Sequence, residues 1–237
     1  MTHNNFKITV IIDVFRAFTT ACYVLERHPA SYFYSYSCKA VEKLTLQTVN
    51  PFLIGKPEKG SQLKYHIPNS PTHVAKKEIK NRSIIHRSES GARGILSSQK
   101  VDLILAAGFV NARATVDYIK TFKNSIVTIL PMGHEATSPS LEDEICAQYL
   151  LALMNSKCFD TSIYVLELAS GPGKYFFSDD QDQYPKEDFA MCLELNKFNF
   201  AIQAQLHSDY AVLKRRDIVH LSDMFETKSV SILSKNP

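Results

Sequence analysis

No stretch of this 237-residue chain approaches the roughly 20 consecutive apolar residues that a membrane-spanning helix needs, so no membrane segment is expected. The opening residues MTHNNFKITV lack the basic segment and apolar core of a secretory signal. Five cysteines is an odd count without a CxxC pair, and the eight histidines form neither HxH nor HExxH. Those absences argue against a disulfide framework and a zinc site, and fit reduced thiols in a cytoplasmic protein. Lysine and arginine are scattered and the net charge is only +3, so no nucleic-acid partner is implied. No internal repeat, low-complexity tract or convincing linker divides the chain. One domain over residues 1–221 with a loosely held tail at 222–237 is the expectation. Hydrophobic content of 45% and charged content of 22% are ordinary for a globular protein.

What the chain does have begins at Lys7, with KITVIIDVFRAFTT. The β-branched run from Ile8 to Ile12 is apolar on both faces, which suits a central parallel strand covered by helices. It stops at Asp13, and a helix is predicted from about Phe15 to Arg27. In open α/β sheets ligands bind beyond the carboxyl ends of such strands. Asp13 can hold a hard cation, Arg16 can grip an oxyanion bidentately, and Thr19 and Thr20 add hydroxyls, a combination suited to a phosphate. Equally, Asp13 could cap the helix while Arg16 pairs with a surface acid.

Alternating strands and helices then follow. Strands are predicted at Ser31–Tyr36, Pro51–Gly55, Arg82–Arg87, Val101–Ala107 and Ser125–Leu130, with helices between most of them, which points to βαβ units in a mainly parallel sheet. Residues 56–72, rich in proline and polar groups, read as a long loop of the kind that is functional or disordered. Ser88 to Gly94 is a Ser- and Gly-rich strand-to-helix turn that can present N–H groups to an anion or serve as a plain turn capped by Ser90. It lacks the spacing of a Walker A loop. Asn111 and Arg113 sit at a similar edge. Ser140-Leu-Glu142-Asp143-Glu144 opens a strongly patterned helix, where Ser140 with Asp143 reads as a capping box and the acids could equally bind Mg²⁺. Further on, 163–168 is strand or helix, 169–184 a loop, 187–195 a helix, and 198–213 a closing hairpin. Cys22, Cys146 and Cys192 fall on apolar helix faces as core thiols. His86 and His134, near strand ends, read as structural or solvent-exposed rather than as acid–base groups.

In order, IDVFRAFTT, a loop closing on NSP, SESGARG, NARAT and LEDEICAQYL resemble the motifs of the 2-phosphosulfolactate phosphatase family, with FFSDD and CLELNKFNFA similar to its later segment. The resemblance spans roughly residues 7 to 215. It implies a three-layer α/β/α fold with a largely parallel sheet and flanking helices, often an oligomer and here expected as a homodimer. It also implies Mg²⁺-dependent hydrolysis of a small phosphorylated acid, 2-phosphosulfolactate, on the route to coenzyme M. Carried over by position, the catalytic residues are Asp13, Arg16, Arg93 and Glu142. Substrate contacts fall to Thr19, Asn69, Ser70, Ser90, Gly91 and Asn111, and metal contacts to Asp13, Glu58, Glu142 and Asp143. Arg16 and Arg93 would clamp the two acidic ends of the substrate. The chain departs from the family pattern at Lys56, where an acid is common, at Pro68 for Gly, and at Glu89-Ser90 for Thr-Asn. A phosphatase for another small ester and a non-catalytic anion binder are the alternatives.

Overall fold

The structure, a computed structural model, describes residues 6–57, 61–134 and 137–218. Glu58 and the expected tail lie outside them. Strand β1 (Phe6–Ile12) is the β-branched run, and it pairs in parallel with β5 (Leu103–Ala107) and β6 (Ser125–Pro131). A second parallel group contains β2 (Ser31–Ser35), β3 (Pro51–Ile54) and β4 (Ser83–Arg87). Between the groups lies the hairpin of β7 (Phe200–Leu206) and β8 (Ala211–Asp217). The sheet order is β3-β4-β2-β8-β7-β5-β1-β6.

The hairpin predicted to close the chain therefore sits at the centre of the sheet. Its pairings with β5, with itself and with β2 are all antiparallel, so the two parallel groups run in opposite directions. Phe200, Ala201, Ile202 and Leu213 are buried, which a hairpin at an exposed edge could not achieve.

Two-sided burial explains the three layers. Ile8, Val10 and Ile12 of β1 face one apolar cluster while Ile11 faces another. Each fully buried side chain of this kind contributes roughly 1.5–3 kcal/mol. One face is covered by α1 (Ala17–Leu25), α3 (Pro71–Ala75) and α4 (Ser90–Ser97), the last packing against strands of both groups. The other face carries α2 (Cys38–Gln47), which packs on β3 and β4, and α5 (Ala112–Lys120) and α6 (Leu141–Met154), which pack around β1. The fold is three-layer α/β/α with a mixed, mostly parallel sheet.

Residues 163–168 are helical: a short turn at Ser162–Tyr164 leads into α7 (Val165–Ser170). The stretch predicted as loop at 169–184 contains a helical turn, Lys174–Phe177, and α8 (Lys186–Leu193) follows. The described part of the long polar loop is pinned to β3. The Gly55 N–H donates to the Ile67 carbonyl at 3.1 Å and the His66 N–H to the Leu53 carbonyl at 3.0 Å. No helix among the described residues is long and apolar enough to cross a membrane. Cys22, Cys146 and Cys192 are buried, and burial pushes all three thiols up, as expected of packed core cysteines.

Candidate active site

The turns that follow β1, β4 and β6 converge on one cavity of about 660 Å³. Its inner wall is built around Asp13, buried to 6% exposure at the end of β1. One oxygen of Asp13 accepts from the Ala17 N–H at 3.1 Å, capping the start of α1, and the other accepts from the Gly91 N–H at 2.9 Å, at the start of α4. A side chain at position 91 is excluded sterically. A Cβ there would stand 2.6 Å from the Tyr34 hydroxyl, 2.8 Å from the Phe18 ring and 3.0 Å from the Asp13 carboxylate.

Asp143 does for β1 and β6 what Asp13 does for α1 and α4. Its Oδ1 accepts from the Val14 N–H at 2.8 Å and its Oδ2 from the Gly133 N–H at 2.9 Å. This overturns the capping-box reading. Asp143 crosses to neighbouring turns, the Ser140 hydroxyl donates to Glu142, and Ser140 makes no side-chain cap. Acids still suit the first turn of α6, where the helix dipole favours negative charge.

Asp13, Glu142 and Asp143 thus bring carboxyls into one low-dielectric wall, and their acidities record it. Burial raises Asp13 above the usual carboxylate range, against the pull of its two backbone donors and of Arg16. Asp143 is raised well above that range by burial and then by the charges of Asp13 and Glu142. Glu142 is raised by burial, with Asp13 adding to it against the Ser140 hydroxyl. All three shifts share burial as their first cause: charge is costly on this wall.

The opposite wall is supplied by the irregular segment between α7 and α8. Arg16 is 5% exposed and its Nη1 pairs with Asp188, itself fully buried, at 2.5 Å. Its guanidinium lies 5.0 Å from the Tyr184 ring centroid and 5.6 Å from that of Phe176. No other hydrogen bond to the guanidinium occurs among the described residues, so its remaining N–H groups are free for an oxyanion. Asp188 also accepts from the Ser70 hydroxyl and the Thr72 N–H, each at 2.9 Å, tying α3 to α8. Lys174 and Tyr175 complete this side.

Of the residues singled out in the sequence, Asp13, Arg16, Asn69, Ser90, Glu142 and Asp143 line the cavity. The Oδ1 of Asn69 is buried there without a hydrogen-bond partner. Glu58 is outside the described residues. The remaining candidate catalytic, substrate and metal residues do not line the cavity. Arg93 pairs with Glu89 at 3.1 Å and stacks over Tyr36, so it neutralises a rim acid and is not the second half of a clamp. Gly91 serves Asp13 through its backbone. Ser70 caps α3, accepting from the His73 N–H, and donates to Asp188. Thr19 donates to the Val14 carbonyl at 3.2 Å. Asn111 braces the end of β5, accepting from the Gly108 N–H at 2.9 Å and donating to the Ala106 carbonyl at 3.1 Å. Lys56 is exposed, and its carbonyl accepts from Arg87. His86 is wholly buried, bonded to the Tyr32 hydroxyl at 2.7 Å, and burial lowers it to about 3, a structural role as expected. His134 instead reaches the cavity wall.

Sequence reasoning missed Asp188 and Lys174. Asp188 stands in PKEDFAMCL, where two acids open an apolar helix, a pattern that reads as ordinary first-turn acidity. Lys174 follows GPG in what looked like an unstructured loop.

Comparison with known proteins agrees with the motif order. A sequence model of the family described as 2-phosphosulpholactate phosphatase matches residues 1–205. A protein of Bacillus subtilis (strain 168), described as a probable 2-phosphosulfolactate phosphatase, is 23% identical over 215 residues, covering 88% of this chain and 91% of its own. One from Thermoplasma volcanium with the same description is 25% identical over 191 residues, covering 80% and 85%. Another, from Caldicellulosiruptor saccharolyticus, is 23% identical over 215 residues, covering 89% and 85%. The chain belongs to the 2-phosphosulpholactate phosphatase family.

Proposed function

We propose that this protein is a phosphatase that hydrolyses the phosphate ester of a small hydroxy acid, 2-phosphosulfolactate, to sulfolactate and phosphate with the help of Mg²⁺. One observation carries the reading: a cavity with three buried carboxyls on one wall faces an arginine fixed by its own buried counter-ion on the other. Membership of the family and the descriptions of its relatives support this substrate.

The donor set fits Mg²⁺, which takes hard oxygen ligands, usually one or two carboxylates with waters and substrate phosphate making up the rest. Among the described residues no three Asp, Glu, His or Cys side chains form a closed cage for an ion. A two-carboxylate site completed by water and phosphate, the usual arrangement for Mg²⁺, is the one we infer. Asp13 and Glu142, the two less buried of the three carboxylates, would hold the ion through lone pairs left over from their hydrogen bonds. The orphaned Asn69 carbonyl offers a further oxygen. When bound, Mg²⁺ supplies charge neutralisation for phosphoryl oxygens and acidifies water, which is the nucleophile in this reading.

The chain's own residues do the positioning on which phosphoryl transfer depends. Arg16 holds the phosphate in a fixed orientation, because Asp188 and two aromatic rings restrict its rotation. Asp13 and Asp143 clamp three turns through four backbone N–H groups, so the carboxyl wall keeps its shape as charge develops. The setting is a cytosolic enzyme of a coenzyme M-type pathway. A homodimer is supported by edge strand β6, which among the described residues pairs only with β1 and leaves Ile126 and Leu130 exposed; sedimentation tests it.

Phosphate release from 2-phosphosulfolactate, with Mg²⁺ or with EDTA, tests the activity. Turnover that needs the metal and falls by at least about 100-fold in Glu142→Gln, with the variant still folded, is the expected result. Full turnover in EDTA would remove Mg²⁺ from the reading, and no release from any small phosphate ester would remove catalysis.

A further inference from the structure

We infer that Lys174 is the residue that reads the second anionic group of the substrate, and so sets a preference for phosphorylated acids over neutral phosphate esters. The inference deepens the phosphatase reading and rests on it for the identity of the first anion.

Among the described residues, Arg16 and Lys174 are the two lysine or arginine side chains that line the cavity. They are not equivalent. Arg16 is half committed, with one nitrogen on Asp188 and its plane held by Phe176 and Tyr184. The ammonium of Lys174 has no ion pair or hydrogen bond among the described residues. Arg93, the other cation that the sequence suggests for a clamp, does not line this cavity and is bound to Glu89 on its rim.

The backbone that carries Lys174 is well anchored although its side chain is free. Gly173 fits closely, since a Cβ there would meet the Leu168 carbonyl at 2.7 Å and the Phe189 ring at 2.7 Å. The Lys174 N–H donates to the Gly171 carbonyl at 3.2 Å, and Phe176 two residues on is fully buried against Phe15, with ring centroids 5.2 Å apart. A fixed base under a flexible point charge suits a small anion whose exact placement varies.

Charge balance gives the assignment its direction. The acid wall repels every anion that lacks a metal to screen it, so a substrate's second anionic group is driven away from Asp13, Glu142 and Asp143. Arg16, positioned next to Asp13 in sequence and charge, goes with the phosphate. Lys174 is what remains for the carboxylate on the carbon next to the one that bears the phosphate.

The test compares two esters of the same skeleton, 2-phospholactate and isopropyl phosphate, on the wild type, Lys174→Met and Lys174→Arg. Selectivity is read as the ratio of kcat/KM with Mg²⁺ and, independently, as the ratio of Kd by calorimetry. Lys174 is exposed, so loss of its charge pair is expected to raise KM and Kd for 2-phospholactate by about 5-fold. Constants for isopropyl phosphate should stay within about twofold, and Lys174→Arg should restore most of the selectivity. Equal losses for both esters would mean that Lys174 is structural, and unchanged selectivity would exclude it as a reader. Either result with wild-type turnover intact overturns this inference alone. Selective binding through Lys174 without turnover would instead keep the inference and sink the phosphatase reading.

Discussion

Replacing Asp188 with asparagine changes almost no volume but removes the charge that holds Arg16. In the native arrangement Asp188 accepts three hydrogen bonds, from Arg16 at 2.5 Å and from the Ser70 hydroxyl and Thr72 N–H at 2.9 Å each. The last two fall on one oxygen, and an asparagine carbonyl has two lone pairs to keep both. The other position becomes an NH₂ group facing a guanidinium nitrogen, donor against donor. Arg16, only 5% exposed, is left charged and unpaired. Breaking a buried pair this way typically costs 3–5 kcal/mol. Because the cavity admits water to the guanidinium, about 3 kcal/mol is the expected loss here, at the low end of that range. In a chain of this size that lowers Tm by roughly 6–12 °C. Urea unfolding of Asp188→Asn should show the loss with an unchanged slope against denaturant. Adding Arg16→Met, which removes the stranded charge and keeps the stacking bulk, should recover stability relative to Asp188→Asn alone. A loss below about 1 kcal/mol, or additive effects in the pair, would refute the claim that this ion pair fastens α8 to the first turn.

Three further outcomes are expected. Gly91→Ala should destabilise by about 1–3 kcal/mol and depress phosphate release, because the new Cβ collides with Tyr34, Phe18 and the Asp13 carboxylate; a neutral effect on unfolding would contradict the packing. Metal-free protein in EDTA should be stabilised by Glu142→Gln at neutral pH. The Glu142 carboxyl is raised in the folded state, so its contribution is present below the unfolded value and is lost as pH rises through the folded one; melting scans across pH 4 to 8 should show the wild type falling and the variant flatter. His86 acts in the opposite sense: lowered to about 3 when folded, it contributes stability above its ordinary value of 6.5 that is lost as pH falls toward 3. In His86→Phe that part of the acid slope should disappear, and a slope identical to wild type would assign it to other groups.

How much of this was legible in the sequence follows from the range over which each feature is determined. β1 and α6 were readable because an unbroken β-branched run and a long apolar-periodic segment state their own structure within a dozen residues. The place of the β7–β8 hairpin was not readable. Its strands are recognisable locally, but insertion between β5 and β2 depends on pairings across about 100 residues or more, which no local pattern encodes. Residues 163–170 resisted for another reason: α7 has six residues, too short for a 3.6 period to separate from alternation.

The site divides along the same line. Its acid wall was visible, since Asp13 and the Glu142-Asp143 pair sit where a strand ends or a helix begins, and such edges place side chains by local geometry alone. The basic wall was not, because local geometry leaves a long side chain several directions and packing chooses among them. Arg93 follows a glycine turn as a phosphate clamp would, yet it turns to Glu89 and Tyr36. Arg16 faces the cavity only because Asp188, far along the chain, and the rings of Phe176 and Tyr184 close behind it. The segment bearing those groups also carries Lys174. A change in residues 171–188 can therefore alter which anions fit without touching Asp13, Glu142 or Asp143, so substrate preference can drift within this fold while the carboxyl wall stays the same.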